Sequence, residues 1–67
     1  MLSARNQLKG TVKSVKLGEV MAEVVMKVGN AEMVALISRR SAVQMKLKAR
    51  DAVTAIIKST EVLVEKA

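Results

Sequence analysis

Apolar residues recur at every second position between residues 19 and 28. The even-numbered positions of this segment are all apolar, namely Val20, Ala22, Val24, Met26 and Val28. Successive side chains of a β-strand point to opposite sides, so this period is typical of a strand with one buried face. The odd-numbered positions mix charged residues with Met21 and Val25, so the second face is partly apolar as well. The segment therefore predicts a β-strand and favours a sheet protein.

The first predicted strand changes its apolar parity part-way along. Leu8, Gly10 and Val12 share one parity, whereas Val15 and Leu17 share the other. A β-bulge near residues 13–14 would return these side chains to a common face, because a bulge inserts one extra residue into a strand. Gly10 inside this strand indicates a sharp bend or a close approach of another backbone segment.

The rest of the chain predicts three more strands and one short helix. Gly29-Asn30 can supply the positive φ of a tight hairpin turn, so we expect a hairpin leading into a strand over residues 31–37. Residues 41–47 predict a helix of about two turns with Val43 and Leu47 facing inward. Residues 52–58 and 62–65 predict the fourth and fifth strands. This order predicts an all-β fold, a five-stranded OB-like barrel with one short helix between strands 3 and 4, an SH3-like barrel being the alternative.

The chain carries much apolar surface for its size. Its 67 residues allow one domain, over residues 1–67, and such a domain buries only about 60% of the surface of its unfolded chain. Hydrophobic residues make up 51% of the sequence, but cysteine and histidine are absent, so neither disulfides nor a zinc site can support the core. We therefore expect oligomerisation, with the two-faced apolar strands forming a subunit interface.

The net charge of +6 narrows the classes of partner. Small single-strand nucleic-acid binders stack bases on aromatic side chains, which this chain lacks. Membrane-surface binding needs a basic amphipathic helix with bulky anchors, and none is predicted. Small anions are then the class of partner that the positive charge favours most. Charges interrupt every apolar stretch well before about 18 residues, so we expect a soluble, intracellular protein without a signal peptide or membrane helix.

Three short segments concentrate hydrogen-bond donors. They contain the candidate binding residues Ser3, Arg5, Ser38, Ser41, Lys58 and Ser59, and no Asp or Glu stands among them. Hydroxyl, guanidinium, ammonium and backbone N–H groups suit a fully ionised oxyanion, because such an ion only accepts hydrogen bonds. Hydrogen phosphate keeps a proton and needs an acceptor, so this donor set disfavours it, whereas sulfate must be excluded by pocket size.

Each candidate also has a plain structural role open to it. Arg5 can grip two oxyanion oxygens with its planar fork, or lie solvated at a strand edge. Lys58 and Ser59 can bind the ion, or simply end a strand and begin a turn. Ser38 or Ser41 can cap the helix, and an anion at that terminus is compatible with the cap.

The run Ser3-Ala4-Arg5-Asn6-Gln7 resembles the start of the Mop domain of the molybdate-binding molbindin family, and the resemblance covers nearly the whole chain. It implies a cytoplasmic binding protein, with no cofactor, that holds molybdate or tungstate at subunit interfaces for storage or homeostasis. It also implies a hexamer, a trimer of dimers. In that assembly, Ser38 and Ser41 of one subunit face the other four candidate residues of a neighbour, and molybdenum is bound only as the oxyanion.

The chain departs from this family before the fourth strand. Family members usually carry Pro-Gly or Glu-Gly ahead of an acidic residue there, whereas this chain has Lys48-Ala49-Arg50-Asp51. The absence of this glycine should change the geometry of the turn before the fourth strand, but it should not affect the candidate donors. Arg39 and Arg40 look variable in the family, and we interpret them as solvated surface residues.

Two other functions stay open at this point. Net charge and the predicted barrel suggest an OB-type nucleic-acid-binding domain as the alternative, and a domain detached from a regulator or transporter is a minor option. We expect no enzyme, because the chain has no His or Cys, a single Asp and no recognisable nucleophile–base spacing.

Overall fold

The computed structural model describes residues 5–66, which form one antiparallel sheet and one short helix. The strands are β1 (Asn6–Leu17), β2 (Met21–Val28), β3 (Ala31–Ser38) and β4 (Ala52–Ile57), in the spatial order β3-β2-β1-β4. Helix α1 (Arg39–Gln44) joins β3 to β4, and a 3₁₀ turn (Ser59–Glu61) follows β4. None of the helices in the described range has the length and apolarity to cross a bilayer.

Strand β1 organises the sheet because it pairs with two neighbours in succession. Its first half pairs with β4, from Asn6↔Ile57 to Thr11↔Ala52. Its second half pairs with β2, and the register there steps from Val12 to Ser14, leaving out Lys13. The predicted bulge is therefore confirmed.

The core lies on the face of β2 that the alternation predicted. Ala22, Val24 and Met26 are buried, and Val12 and Ala55 complete the set of buried strand residues. The close approach predicted at Gly10 is also confirmed, because a Cβ there would lie 2.4 Å from the carbonyl oxygen of Lys27. The hairpin turn falls at Gly29-Asn30, with Gly29 at φ 60°.

The all-β prediction is confirmed, but the predicted fifth strand is wrong for the described part of the chain. Val62 is extended (φ −99°, ψ 124°), yet residues 62–66 pair with no strand. An extended segment becomes a strand only through a hydrogen-bonded neighbour. Here Leu63 and Val64 are 94% and 93% exposed, so the segment projects from the sheet.

The helix begins two residues earlier than predicted and is shorter. Ser38 caps it, because its Oγ accepts a hydrogen bond from the backbone N–H of Ser41. Lys46 adopts a left-handed φ of 53° just beyond the C-cap, a conformation that ends helices. This shorter helix buries Ala42 and leaves Val43 53% exposed, so the prediction that Val43 faces inward is wrong. Leu47 packs against the core as predicted.

Candidate functional site

The first group of candidate donors lies where β1 begins and β4 ends. Asn6 pairs with Ile57, so one further step along the antiparallel ladder brings Arg5 beside Lys58. Arg5, Lys58 and Ser59 are all exposed. The structure thus brings three of the predicted residues together, while Ser3 lies outside the described residues.

The 3₁₀ turn shapes this group. Lys58 is extended (φ −66°, ψ 138°), and the backbone N–H of Glu61 donates to its carbonyl oxygen at 2.9 Å. The backbone N–H groups of Ser59 and Thr60 donate to no other residue of the described chain. The group therefore offers a guanidinium, an ammonium, a hydroxyl and two backbone donors. The same turn also contains a carboxylate, Glu61, which lies two residues after the candidate donor Ser59.

The second group of donors lies where β3 meets α1. Ser38 Oγ accepts from the backbone N–H of Ser41 at 3.1 Å and donates to Ser41 Oγ at 2.8 Å. Ser38 Oγ thus caps the helix as an acceptor and uses its own proton in the bond to Ser41 Oγ. The hydroxyl proton of Ser41 remains available to an acceptor outside the chain.

Arg39 is exposed, as interpreted from the sequence, but its side chain also makes a structural contact. Its Nη1 donates to the carbonyl oxygen of Gly18 at 2.9 Å, and its backbone N–H donates to that of Val20 at 2.8 Å. Arg39 therefore ties the β1–β2 turn to the start of the helix. The sequence gives no local signal of this contact, because Arg39 and Gly18 are 21 positions apart.

An open cleft of about 570 Å³ adjoins the second group. Ser38, Arg39 and Arg40 line it, together with Glu19 from the β1–β2 turn. Glu19 is thus a second carboxylate near the candidate donors, and it lies outside the three donor segments of the sequence.

The two groups lie at opposite ends of β1. Arg5 and Lys58 flank its first residue, whereas Ser38 pairs with Met21 at the start of β2, beside the last residues of β1. No hydrogen bond or ion pair between described residues joins the groups. One chain therefore presents two separate half-sets of donors.

Comparison with known proteins shows the family. The TOBE domain model matches residues 2–64. Molybdenum-pterin-binding protein 3 of Clostridium pasteurianum is 45% identical over 64 residues, which span 94% of each chain. This chain is a TOBE-domain protein of the molbindin (Mop) family. That membership confirms the family resemblance carried by the N-terminal motif.

Two solved molybdate-binding proteins extend the comparison to the fold. A molybdate-binding protein from Sporomusa ovata is 42% identical, with a TM-score of 0.95 and 98% coverage of both chains. The cytoplasmic molybdate-binding protein ModG, solved in a crystal form with molybdate bound, is 39% identical with a TM-score of 0.84. That match covers 87% of this chain and 42% of ModG.

Proposed function

We propose that this molbindin binds molybdate, and tungstate by the same chemistry, at interfaces between copies of itself. Its family membership supports the ligand class, because the compared relatives are named for binding molybdate or molybdenum-pterin. These relatives are binding proteins, and the proposed role is likewise binding without catalysis. The cytoplasmic description of ModG supports the same location here.

The separation of the two donor groups along β1 carries the proposal of a shared site. One group holds the charged donors Arg5 and Lys58, and the other holds the hydroxyl donor Ser41. Neither surrounds a tetrahedral ion by itself. Docking the Ser38–Ser41 corner of one protomer against the Arg5–Lys58 corner of a neighbour would unite both groups. We propose that Ser3 belongs with Arg5 and Lys58.

The division of labour among the donors follows from their chemistry. The guanidinium of Arg5 can donate to two oxygens of one dianion in parallel, and Lys58 adds a compact charge. Ser59 can add a hydroxyl and a backbone N–H, and Ser41 can donate its free hydroxyl proton. Discrimination against hydrogen phosphate requires the carboxylates of Glu19 and Glu61 to stay out of contact with the ion, because either could accept its proton.

Exposed apolar surface supports assembly. Large aliphatic side chains of β3 and of the tail remain in solvent in the single chain, notably Val34 at 63%, Leu36 at 68% and Leu63 at 94%. A domain of this size gains much of its stability from burying such surface between subunits. We propose the hexamer, a trimer of dimers, as the assembly, and storage or buffering of the oxyanion as its role.

Calorimetric titration of the Arg5→Ala and Lys58→Ala variants with molybdate tests the site. Each variant should bind at least tenfold more weakly, because a lost charge-assisted hydrogen bond costs about 1.5–3 kcal/mol. Both side chains are exposed, so the melting temperature without ligand should change little. Lys9→Ala, which removes the same charge from the fourth position of β1, is the matched control and should retain wild-type affinity. Undiminished binding by both site variants would refute the assignment.

A further inference from the structure

A second basic region lies apart from every residue proposed for molybdate. An open cleft of about 640 Å³ runs between the β1–β2 ladder and the turn that precedes β4. Three cations line it, Lys13, Lys27 and Arg50, together with the carboxylate Glu32 and the amide of Asn30. We call this region the basic cleft.

The first sign that the basic cleft is a built site is the position of Lys13. Lys13 is the bulge residue of β1, since Val12 pairs with Met26 and Ser14 pairs with Val25. A bulge re-aims the side chain of the extra residue and is common beside functional sites. Lys13 bonds and ion-pairs with Glu32 on β3, and Lys27 lies on β2 between them.

The second sign is backbone strain at Arg50. Asp51 N–H donates to the carbonyl oxygen of Lys48 at 3.2 Å, so Arg50 occupies the third position of a β-turn, with φ 77°. That φ is typical of a type II turn, which favours glycine at this position. The turn is fixed to β1, because Arg50 N–H donates to Val12 at 2.8 Å and Val12 N–H donates to Asp51 at 2.9 Å. Arg50 therefore occupies a backbone conformation that glycine would adopt with less strain.

The charges of the basic cleft indicate the kind of ligand. Lys13 and Glu32 neutralise each other, and this ion pair, with help from Lys27, holds the pKa of Glu32 below its usual value. The cleft as a whole has three cations against one carboxylate, and this excess of two positive charges matches a dianion. The volume falls within the range of about 300–1,000 Å³ of small-molecule sites, so the cleft has room for more than one tetrahedral group.

We propose that the basic cleft binds a phosphate-bearing small molecule, held by Lys27 and Arg50 with Asn30 as an additional donor. This site does not depend on the proposed molybdate function. The chain has no aromatic residue on which to stack a base, so recognition would act through the phosphates and not through a nucleic acid strand.

Titration with inorganic pyrophosphate at low salt, run both without molybdate and with molybdate saturating, tests the proposal on the assembled protein. Wild-type protein should bind pyrophosphate, and Arg50→Gly should bind it at least tenfold more weakly while its melting temperature rises by about 4–8 °C through relief of strain. Lys46→Gly is the matched control. It removes one positive charge and one positive-φ residue outside the cleft, so it should gain stability and keep its affinity. Lys27→Ala, which leaves the turn intact, should also lose affinity.

Four results of these titrations and of a mass measurement would overturn the proposal, and a fifth comes from a titration with an oligonucleotide. They are failure of the wild-type protein to bind pyrophosphate, equal losses in Arg50→Gly and Lys46→Gly, and undiminished binding by Lys27→Ala. The fourth is a smaller assembly mass for Arg50→Gly, which would show that the cleft is filled by another copy of the chain.

A parallel titration with a single-stranded oligonucleotide distinguishes a nucleic acid strand from a small phosphate-bearing molecule as the occupant of the basic cleft. Oligonucleotide binding that needs Arg50 and resists competition by pyrophosphate would also contradict the proposal.

Discussion

Gly10 lies where the backbone of β2 leaves no room for a side chain. A Cβ there would lie 2.4 Å from the carbonyl oxygen of Lys27 and 2.9 Å from Cγ2 of Val28. The first of these contacts is with backbone, so the pairing of β1 with β2 would have to shift. We expect Gly10→Ala to lower the free energy of unfolding by about 1–3 kcal/mol, measured by urea denaturation.

Gly29 provides the control for this prediction. It has open space around its Cα and a φ of 60°, which asparagine tolerates. Gly29→Asn should therefore change the free energy of unfolding by less than about 0.5 kcal/mol. A similar loss in both variants would mean that conformational freedom, and not the contact with Lys27, explains the effect at Gly10.

Glu32 gives the fold an acid-sensitive contact. The hydrogen bond from Lys13, and then its charge, lower the pKa of Glu32. A depressed folded-state pKa stabilises the protein above the unfolded value of about 4.3, and this contribution disappears as the pH falls through the lower folded value. In Lys13→Met, a carboxyl NMR titration should show the pKa of Glu32 moving back up. An unchanged pKa would contradict the role of Lys13.

At the scale of elements, the start of α1 can be separated into a capping role and a binding role. Ser38→Ala should lose about 1 kcal/mol of stability, because the backbone N–H of Ser41 loses its acceptor. Ser38→Asp should keep the cap, since aspartate is among the best capping residues, but it places a negative charge at the proposed oxyanion site. We expect it to fold normally and to lose molybdate affinity at least tenfold.

Ser38→Asn is the uncharged counterpart for this test. It caps as well as aspartate does and should bind molybdate more tightly than Ser38→Asp. Thermal unfolding reports the cap, and calorimetry with molybdate reports the site. Equal molybdate affinities for the Asp and Asn variants would place Ser38 away from the ion.

At the scale of the whole molecule, a site shared between protomers can be tested by complementation. Lys58→Ala removes a donor from one half-set, and Ser38→Asp places a negative charge in the other. Each variant assembled alone should therefore bind molybdate at least tenfold more weakly. Mixed assemblies made by co-expression contain interfaces at which a protomer with intact Lys58 meets one with intact Ser38. Binding should therefore return to a fraction of the sites. No recovery in confirmed mixed assemblies would mean that one chain supplies the whole site.

Much of this fold could be predicted from local patterns. The alternation in β2, the parity change that requires a bulge near Lys13 and the turn at Gly29-Asn30 each depend on neighbouring residues, and each is confirmed. The helix boundary was missed because its cap at Ser38 is the last residue of β3, where strand and helix signals overlap. The predicted fifth strand is wrong because an apolar run does not reveal whether a pairing partner exists.

The sequence by itself determined the sheet, the family and the donor types of the candidate site, because residue type and short-range spacing encode them. Only the tertiary structure decided that Arg5 and Lys58 lie together while Ser38 and Ser41 lie at the far end of β1. It also decided that Arg39 is held by Gly18 and that Arg50 is strained beside Lys27. Strand register sets these relations, and register brings together residues that are distant along the chain.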